Sequence, residues 1–185
     1  MSRSAATVTT FLLLSLSSTL SAEKPLFPKQ ISLEGHEFER LGEYRYVYRI
    51  FFPLYEVALY TEARACAEDV LTAKAPFRLQ FRYLREIEKS IILKSAGRML
   101  EKNLSGKEQK AIADRVATIN RAYTSVGKGD RSSLTFIPEE GTTLRINGET
   151  KVTVAGNDFA RLYLQIWLGP EPISRSLRDH LLGDI

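Results

Sequence analysis

Cysteine is nearly absent. Cys66 is the single thiol among 185 residues, so neither a disulfide framework nor a Cys-based zinc site can be built within the chain. Histidine is almost as scarce: His36 and His180 lie far apart and give no metal-ligand spacing. The sequence has no phosphate loop, no G-x-G-x-x-G and no G-x-S-x-G, which removes the common nucleotide and hydrolase signatures and leaves no cofactor motif. Neither sign of charge dominates. The 26 basic and 22 acidic residues leave +4, too diffuse for a nucleic-acid footprint. What remains is 44% hydrophobic and 26% charged, a globular composition at a length that fits one domain.

The first 22 residues read as an address and not as fold. Arg3 supplies one positive charge, Phe11-Leu12-Leu13-Leu14 forms an apolar centre, and mostly small residues from Ser17 to Ala22 close the segment. That is the layout of a secretory leader. The apolar run is interrupted by Ser and Thr and falls short of the roughly 20 apolar residues of a spanning helix. Cleavage is expected after Ser21 or Ala22. Glu23 and not Cys follows, so no lipid attachment site is evident. The expectation is a periplasmic protein in which residues 23–185 form a single domain. Cys66 reads as a small buried helix residue.

Two periodicities alternate along that domain. Ile31-Ser32-Leu33, closed by Gly35, opens a strand-like run. Tyr44, Tyr46 and Tyr48 alternate with Arg45, Val47 and Arg49, a strand period. Pro53 divides this stretch, so strands are expected at about 44–52 and 54–61. Phe77, Leu79, Phe81 and Tyr83 alternate with Arg78, Gln80 and Arg82, giving one apolar and one polar face. Helical spacing then takes over, from Ile87 to Leu104 and from Ile112 to Tyr123, with Ser105-Gly106-Lys107-Glu108 as a capping box between. Gly127 and Gly129 end the second helix. Leu134–Ile137 reads as a strand, and 142–146 with 151–154 as a hairpin on Asn147-Gly148. Asn157 is a candidate N-cap for a helix carrying Phe159, Leu162, Tyr163, Ile166 and Trp167 on one stripe. Ser174 caps a last helix with Leu177, Leu181 and Leu182. The order β-β-β-α-α-β-β-β-α-α predicts an α+β fold with helices on one face of a mainly antiparallel sheet.

Several of these stretches, taken in order, resemble the bacterial branch of the chalcone isomerase-like proteins. They are Leu54–Tyr60, Gly127–Asp130, Leu134–Pro138, Gly141-Thr142, Asn147-Gly148, Phe159 with Ile166–Gly169, and Ser176–Arg178 with Leu181–Gly183. The resemblance spans residues 30–183. It implies an open-faced β-sandwich, in which a large, mainly antiparallel sheet is covered by a layer of helices, with a ligand cleft between them. In that family some members are plant enzymes that close chalcones into flavanones, and others bind fatty acids without known catalysis. Fold is therefore better specified than function.

The resemblance also nominates residues. Arg45, downstream of Gly42, matches the family's ligand-binding arginine, although the glycine spacing differs by one residue. A guanidinium suits a phenolate or a carboxylate because it is always charged and forks onto two oxygens. A solvent-facing strand arginine is the plain alternative, and Arg40 or Arg49 could take the role by a register shift. Tyr55 matches a tyrosine that assists the arginine in holding a carboxylate, or else is a core tyrosine; Tyr60 has the same two readings. The enzymes keep a lysine and a tyrosine around the exit of the third strand and an asparagine on a helix. Here that region reads Tyr83-Leu84-Arg85-Glu86-Ile87-Glu88-Lys89-Ser90, with no asparagine before Asn103. The lack argues against isomerisation, which needs a positioned donor for the developing enolate.

The expectation is an exported, non-catalytic binder of a small amphiphilic or aromatic ligand such as a fatty acid, with ligand-binding residues Arg45, Tyr55 and Tyr60. It includes no metal, no cofactor and no nucleic acid. Two alternatives stand beside it: an intramolecular lyase or isomerase acting on an α,β-unsaturated ketone, and an envelope protein acting through surface contacts. Arg161, Arg175 and Arg178 are scattered helix charges that suit a solubilising face or peripheral contact with anionic lipid.

Overall fold

The computed structural model describes residues 26–49 and 51–183; the expected leader, its cleavage site and Pro25 lie outside them. The elements are β1 (Gln30–Leu33), β2 (His36–Tyr48), β3 (Phe52–Glu62), α1 (Ala67–Leu71), β4 (Phe77–Tyr83), α2 (Lys89–Asn103), α3 (Gly106–Ala122), β5 (Arg131–Ile137), β6 (Gly141–Ile146), β7 (Glu149–Val154), α4 (Asn157–Leu168) and α5 (Arg175–Leu182). The seven strands pair in chain order, and every described pair is antiparallel. This is an α+β protein of the expected architecture, with one strand and one short helix more than the expected order.

Alternation assigns the two faces. On β4, Phe77, Leu79, Phe81 and Tyr83 are buried and Arg78, Gln80 and Arg82 are half-buried. Phe77 meets Phe136 of β5 across the ladder, with ring centroids 5.2 Å apart. This inner face is covered by α4, whose Trp167 ring lies 5.5 Å from that of Phe81. Eight of the twelve α4 residues are buried, more than the single stripe the sequence shows. Ala160, Leu164 and Leu168 are enclosed as well, because α1, α2 and α3 also pack against α4. The outer face carries a smaller cluster of Phe27, Phe38, Ala58 and Tyr60. The sheet curls toward that side far enough for Glu34, in the β1–β2 turn, to pair with Arg145 of β6.

Local signals behave as their chemistry requires. Ser105 accepts from the Glu108 amide while the Glu108 carboxylate accepts from the Ser105 amide, 2.9 Å. Asn147 and Gly148 both have positive φ, 51° and 84°, the combination of a type I′ turn.

Three expectations need correction. Pro53 lies inside β3 and does not precede it; it pairs with Val47 where the β2–β3 register shifts, so its missing amide costs no ladder bond of a regular pair. The cap of α4 is Gly156 at φ 107°, with Asn157 as the first helical residue. Cys66 is exposed and precedes α1, its thiol 3.2 Å from the Asp69 carboxylate; five helical residues are too few to show a period.

Candidate functional site

Gly42 sets the position of the site. On β2 it pairs with Leu59 and faces inward, where α5 crosses it. A Cβ at this position would sit 2.0 Å from the His180 carbonyl oxygen and 2.8 Å from the Leu181 Cα. Glycine is what lets a helix backbone approach a strand backbone this closely. The contact brings His180 over Tyr44, ring centroids 4.6 Å apart. His180 Nδ1 also bonds the Ser176 carbonyl at 2.7 Å.

On the other side, residues 26–29 run along β2. The Lys29 carbonyl accepts from the Arg40 amide at 2.8 Å, and the Pro28 carbonyl accepts from the Tyr60 hydroxyl at 3.1 Å. β1 pairs with β2 only through Glu39, so the rest of β2 forms the sheet edge among the described residues. The space left around that edge is a groove of about 490 Å³ lined by Leu26, Phe27, Arg40, Glu43, Tyr44, Arg45, Glu56 and His180. That volume lies in the range of small-ligand sites, about 300–1,000 Å³.

Most charges of the groove are already paired, within it or with Arg82 beside it. Arg40 pairs with Glu43 at 2.6 Å, and Glu56 holds Arg82 through two contacts of 2.8 and 2.5 Å. Arg45 has no ion pair among the described residues, although it stands directly across the ladder from Glu56. The groove therefore offers one uncommitted guanidinium beside the apolar surfaces of Leu26, Phe27 and Tyr44.

Tyr55 is not part of it. Residues paired across an antiparallel ladder share a face. Arg45 pairs with Glu56 on the outer face, and Tyr46 pairs with Tyr55 on the inner face. The Arg45 and Tyr55 side chains thus leave the same two strands in opposite directions, and the fold does not bring them together. Tyr55 is packed among the rings of Tyr46, Phe81 and Tyr83, with centroids 5.1, 5.5 and 6.3 Å away. Its buried hydroxyl makes no hydrogen bond of regular geometry among the described residues; burial pushes its pKa well above the ordinary phenol value, and the nearby Trp167 side chain opposes that shift only weakly. Tyr60 is on the outer face, in the small cluster behind the groove, with its hydroxyl committed to Pro28.

Other candidate groups have structural occupations. The Tyr83 hydroxyl is 2.9 Å from Ser132 Oγ, and burial pushes its pKa up to about 12. Neutral phenols of this kind donate hydrogen bonds and cannot serve as bases near neutral pH. Asn103 clamps α2 to the chain after α4, accepting from the Glu171 amide at 2.8 Å and donating to its carbonyl at 2.9 Å. In the Gly127–Asp130 turn, the Asp130 carboxylate accepts from the Gly127 amide at 2.7 Å. Leu26, Phe27 and His180 were invisible as site residues in the sequence. They reach the groove only through the path of the leading segment and the docking of α5.

A family model described as chalcone isomerase-like matches residues 23–183. Among solved structures, a fatty-acid binding protein of Arabidopsis thaliana is similar, with a TM-score of 0.65 over 85% of this chain and 91% of that one, at 15% identity. At that identity the likeness speaks for the fold. Comparison with curated proteins gives no match.

Proposed function

The chain belongs to the chalcone isomerase-like family, and from that premise we propose that it is a non-catalytic binder of a small amphiphilic acid of the fatty-acid kind. The carboxylate docks on Arg45 and the apolar body lies along Leu26, Phe27 and Tyr44. The observation that carries this is the uncommitted Arg45 guanidinium in a groove whose other strand charges are paired off. The similar fold of a fatty-acid binding protein supports the ligand class. Against catalysis stands the commitment of Tyr83 to Ser132 and of Asn103 to the Glu171 backbone, which leaves neither free to steady an enolate.

Titration with palmitate tests the site. A charged hydrogen bond contributes about 1.5–3 kcal/mol. Because Arg45 is exposed, screening puts Arg45→Ala at the low end, about a tenfold loss of affinity. Arg45→Lys recovers only part of it, since an ammonium cannot fork onto a carboxylate. Tyr55→Phe should leave affinity unchanged and shift stability by no more than about 1 kcal/mol, because the buried hydroxyl it removes makes no regular hydrogen bond among the described residues and only a weak contact with Trp167. The opposite result, with affinity lost in Tyr55→Phe and kept in Arg45→Ala, would move the ligand to the inner layer beneath α4. The Tyr55 hydroxyl, buried without a regular hydrogen bond among the described residues, is the one observation that favours that second location. Wild-type protein should leave chalcone cyclisation at its spontaneous rate, and a turnover of about 1 per second or more would make it an enzyme.

Export belongs to the same proposal. Its support is the Arg3 and Phe11–Leu14 pattern and a family match that begins at residue 23. N-terminal sequencing of the protein from its own cells should find a start near Glu23; an intact Met1 on a cytoplasmic species rules export out.

A further inference from the structure

Four of the five exposed large apolar side chains of the described residues fall within six positions, at the tip of the β2–β3 hairpin. They are Val47, Tyr48, Phe51 and Phe52, and Phe51 is 80% exposed. Single exposed apolar residues are ordinary, but a contiguous group marks a surface that something covers. Nothing within the described residues covers this one.

The charges beside it indicate the occupant. From Tyr44 to Pro53 the sequence holds two arginines and no acidic residue. The Arg49 guanidinium lies 5.4 Å from the centre of the Tyr48 ring, and that of Arg85 lies 5.2 Å from the centre of the Phe52 ring. Neither arginine makes an ion pair among the described residues; the nearest acids along the chain are Glu43 and Glu56 for Arg49 and the exposed Glu86 and Glu88 for Arg85. Aromatic rings at a projecting tip with arginines at their bases match the two layers of an anionic bilayer surface. The rings fit the headgroup–acyl boundary and the guanidinium groups fit the phosphates. A protein partner would more often bury such a patch around a polar rim of both signs, which the tip itself lacks.

We propose that the β2–β3 tip is a peripheral membrane anchor that inserts Phe51 and Phe52 into the interface of an anionic lipid surface, with Arg49 and Arg85 on the headgroups. No helix among the described residues is long and apolar enough to cross a membrane; the proposed contact is reversible docking by the hairpin tip. It does not depend on a ligand in the groove, and Arg45 is left out of the test so that the two proposals fail separately.

The experiment is co-sedimentation of the purified protein with phosphatidylcholine vesicles, with and without phosphatidylglycerol. Binding is expected to the mixed vesicles and to weaken as salt rises. The Phe51→Ser/Phe52→Ser variant should lose at least about tenfold in partition. Arg49→Gln and Arg85→Gln should each lose about fivefold, on the anionic vesicles only. Phe51→Trp should fold normally at so exposed a position, and its emission should shift to the blue on adding mixed vesicles. Absent binding by wild type, or equal binding by a folded Phe51→Ser/Phe52→Ser variant, overturns the anchor. Concentration-dependent dimers in lipid-free solution that Phe51→Ser abolishes, with no vesicle binding, would assign the tip to a second copy of this chain.

Discussion

Gly42→Ala is expected to lower the melting temperature of the protein by about 6 °C or more. The added methyl would occupy space held by the His180 carbonyl and the Leu181 Cα, which are backbone atoms and cannot swing aside as a flexible side chain can. Either α5 lifts from β2 or the strand bends. Overpacking of this kind costs about 1–3 kcal/mol and sometimes more, and backbone-on-backbone contact places this case at the upper end. For a chain of this size, 1 kcal/mol corresponds to about 2–4 °C. The lifted helix also carries His180 off Tyr44, so palmitate binding should weaken along with stability. Gly97→Ala is the matched control. It lies inside α2 with nothing within 4 Å of the added carbon, so it should stabilise by about 0.5–1 kcal/mol through helix propensity. Thermal melts that give the two substitutions the same sign would refute the close-approach role of Gly42.

Phe159→Ala should cost about 3–5 kcal/mol, against a total stability of about 5–15 kcal/mol for a domain. Phe159 is fully buried, its ring stacked on Tyr163 with centroids 5.1 Å apart and overlain by Arg115 at 5.8 Å. Arg115 is itself fixed by two contacts to the Asp158 carboxylate, 2.7 and 2.6 Å. Truncation opens a cavity at the start of α4, where backbone held on several sides cannot close in. Denaturant unfolding should show a lower midpoint with the slope unchanged. A loss below about 1 kcal/mol would mean that the α4 end relaxes freely, contrary to its enclosure.

Arg45 shows how a residue can reach a candidate groove and still be set in a different relation to its neighbours than the sequence suggests. The tyrosine–arginine alternation at 44–49 was plain in the sequence, and so was the strand at 54–61. Whether Arg45 and Tyr55 meet depends on the pairing register, because a slip of one residue moves every side chain to the other face. That register is decided by the irregularities between Arg40 and Gly42 and between Tyr46 and Val47. Gly42 sits at the first and Pro53 pairs at the second; such residues mark an irregularity without saying which register results.

The sequence by itself determined the elements whose causes are local. The capping box at Ser105–Glu108, the Asn147-Gly148 turn, the two-faced strand at Phe77–Tyr83 and the apolar stripe from Phe159 to Trp167 each rest on contacts within a few residues. Their order was enough to specify an α+β fold. Tertiary structure alone decided what depends on distant parts of the chain. It enclosed α4 on further sides, committed the Tyr60 hydroxyl to Pro28, brought Leu26, Phe27 and His180 to one groove with Arg45, and left Tyr55 on the other side of the sheet. The division is physical. Capping, turn formation and periodicity are settled by hydrogen bonds and sterics over a turn or two of chain. Strand register and helix docking are settled by which distant surfaces pack together.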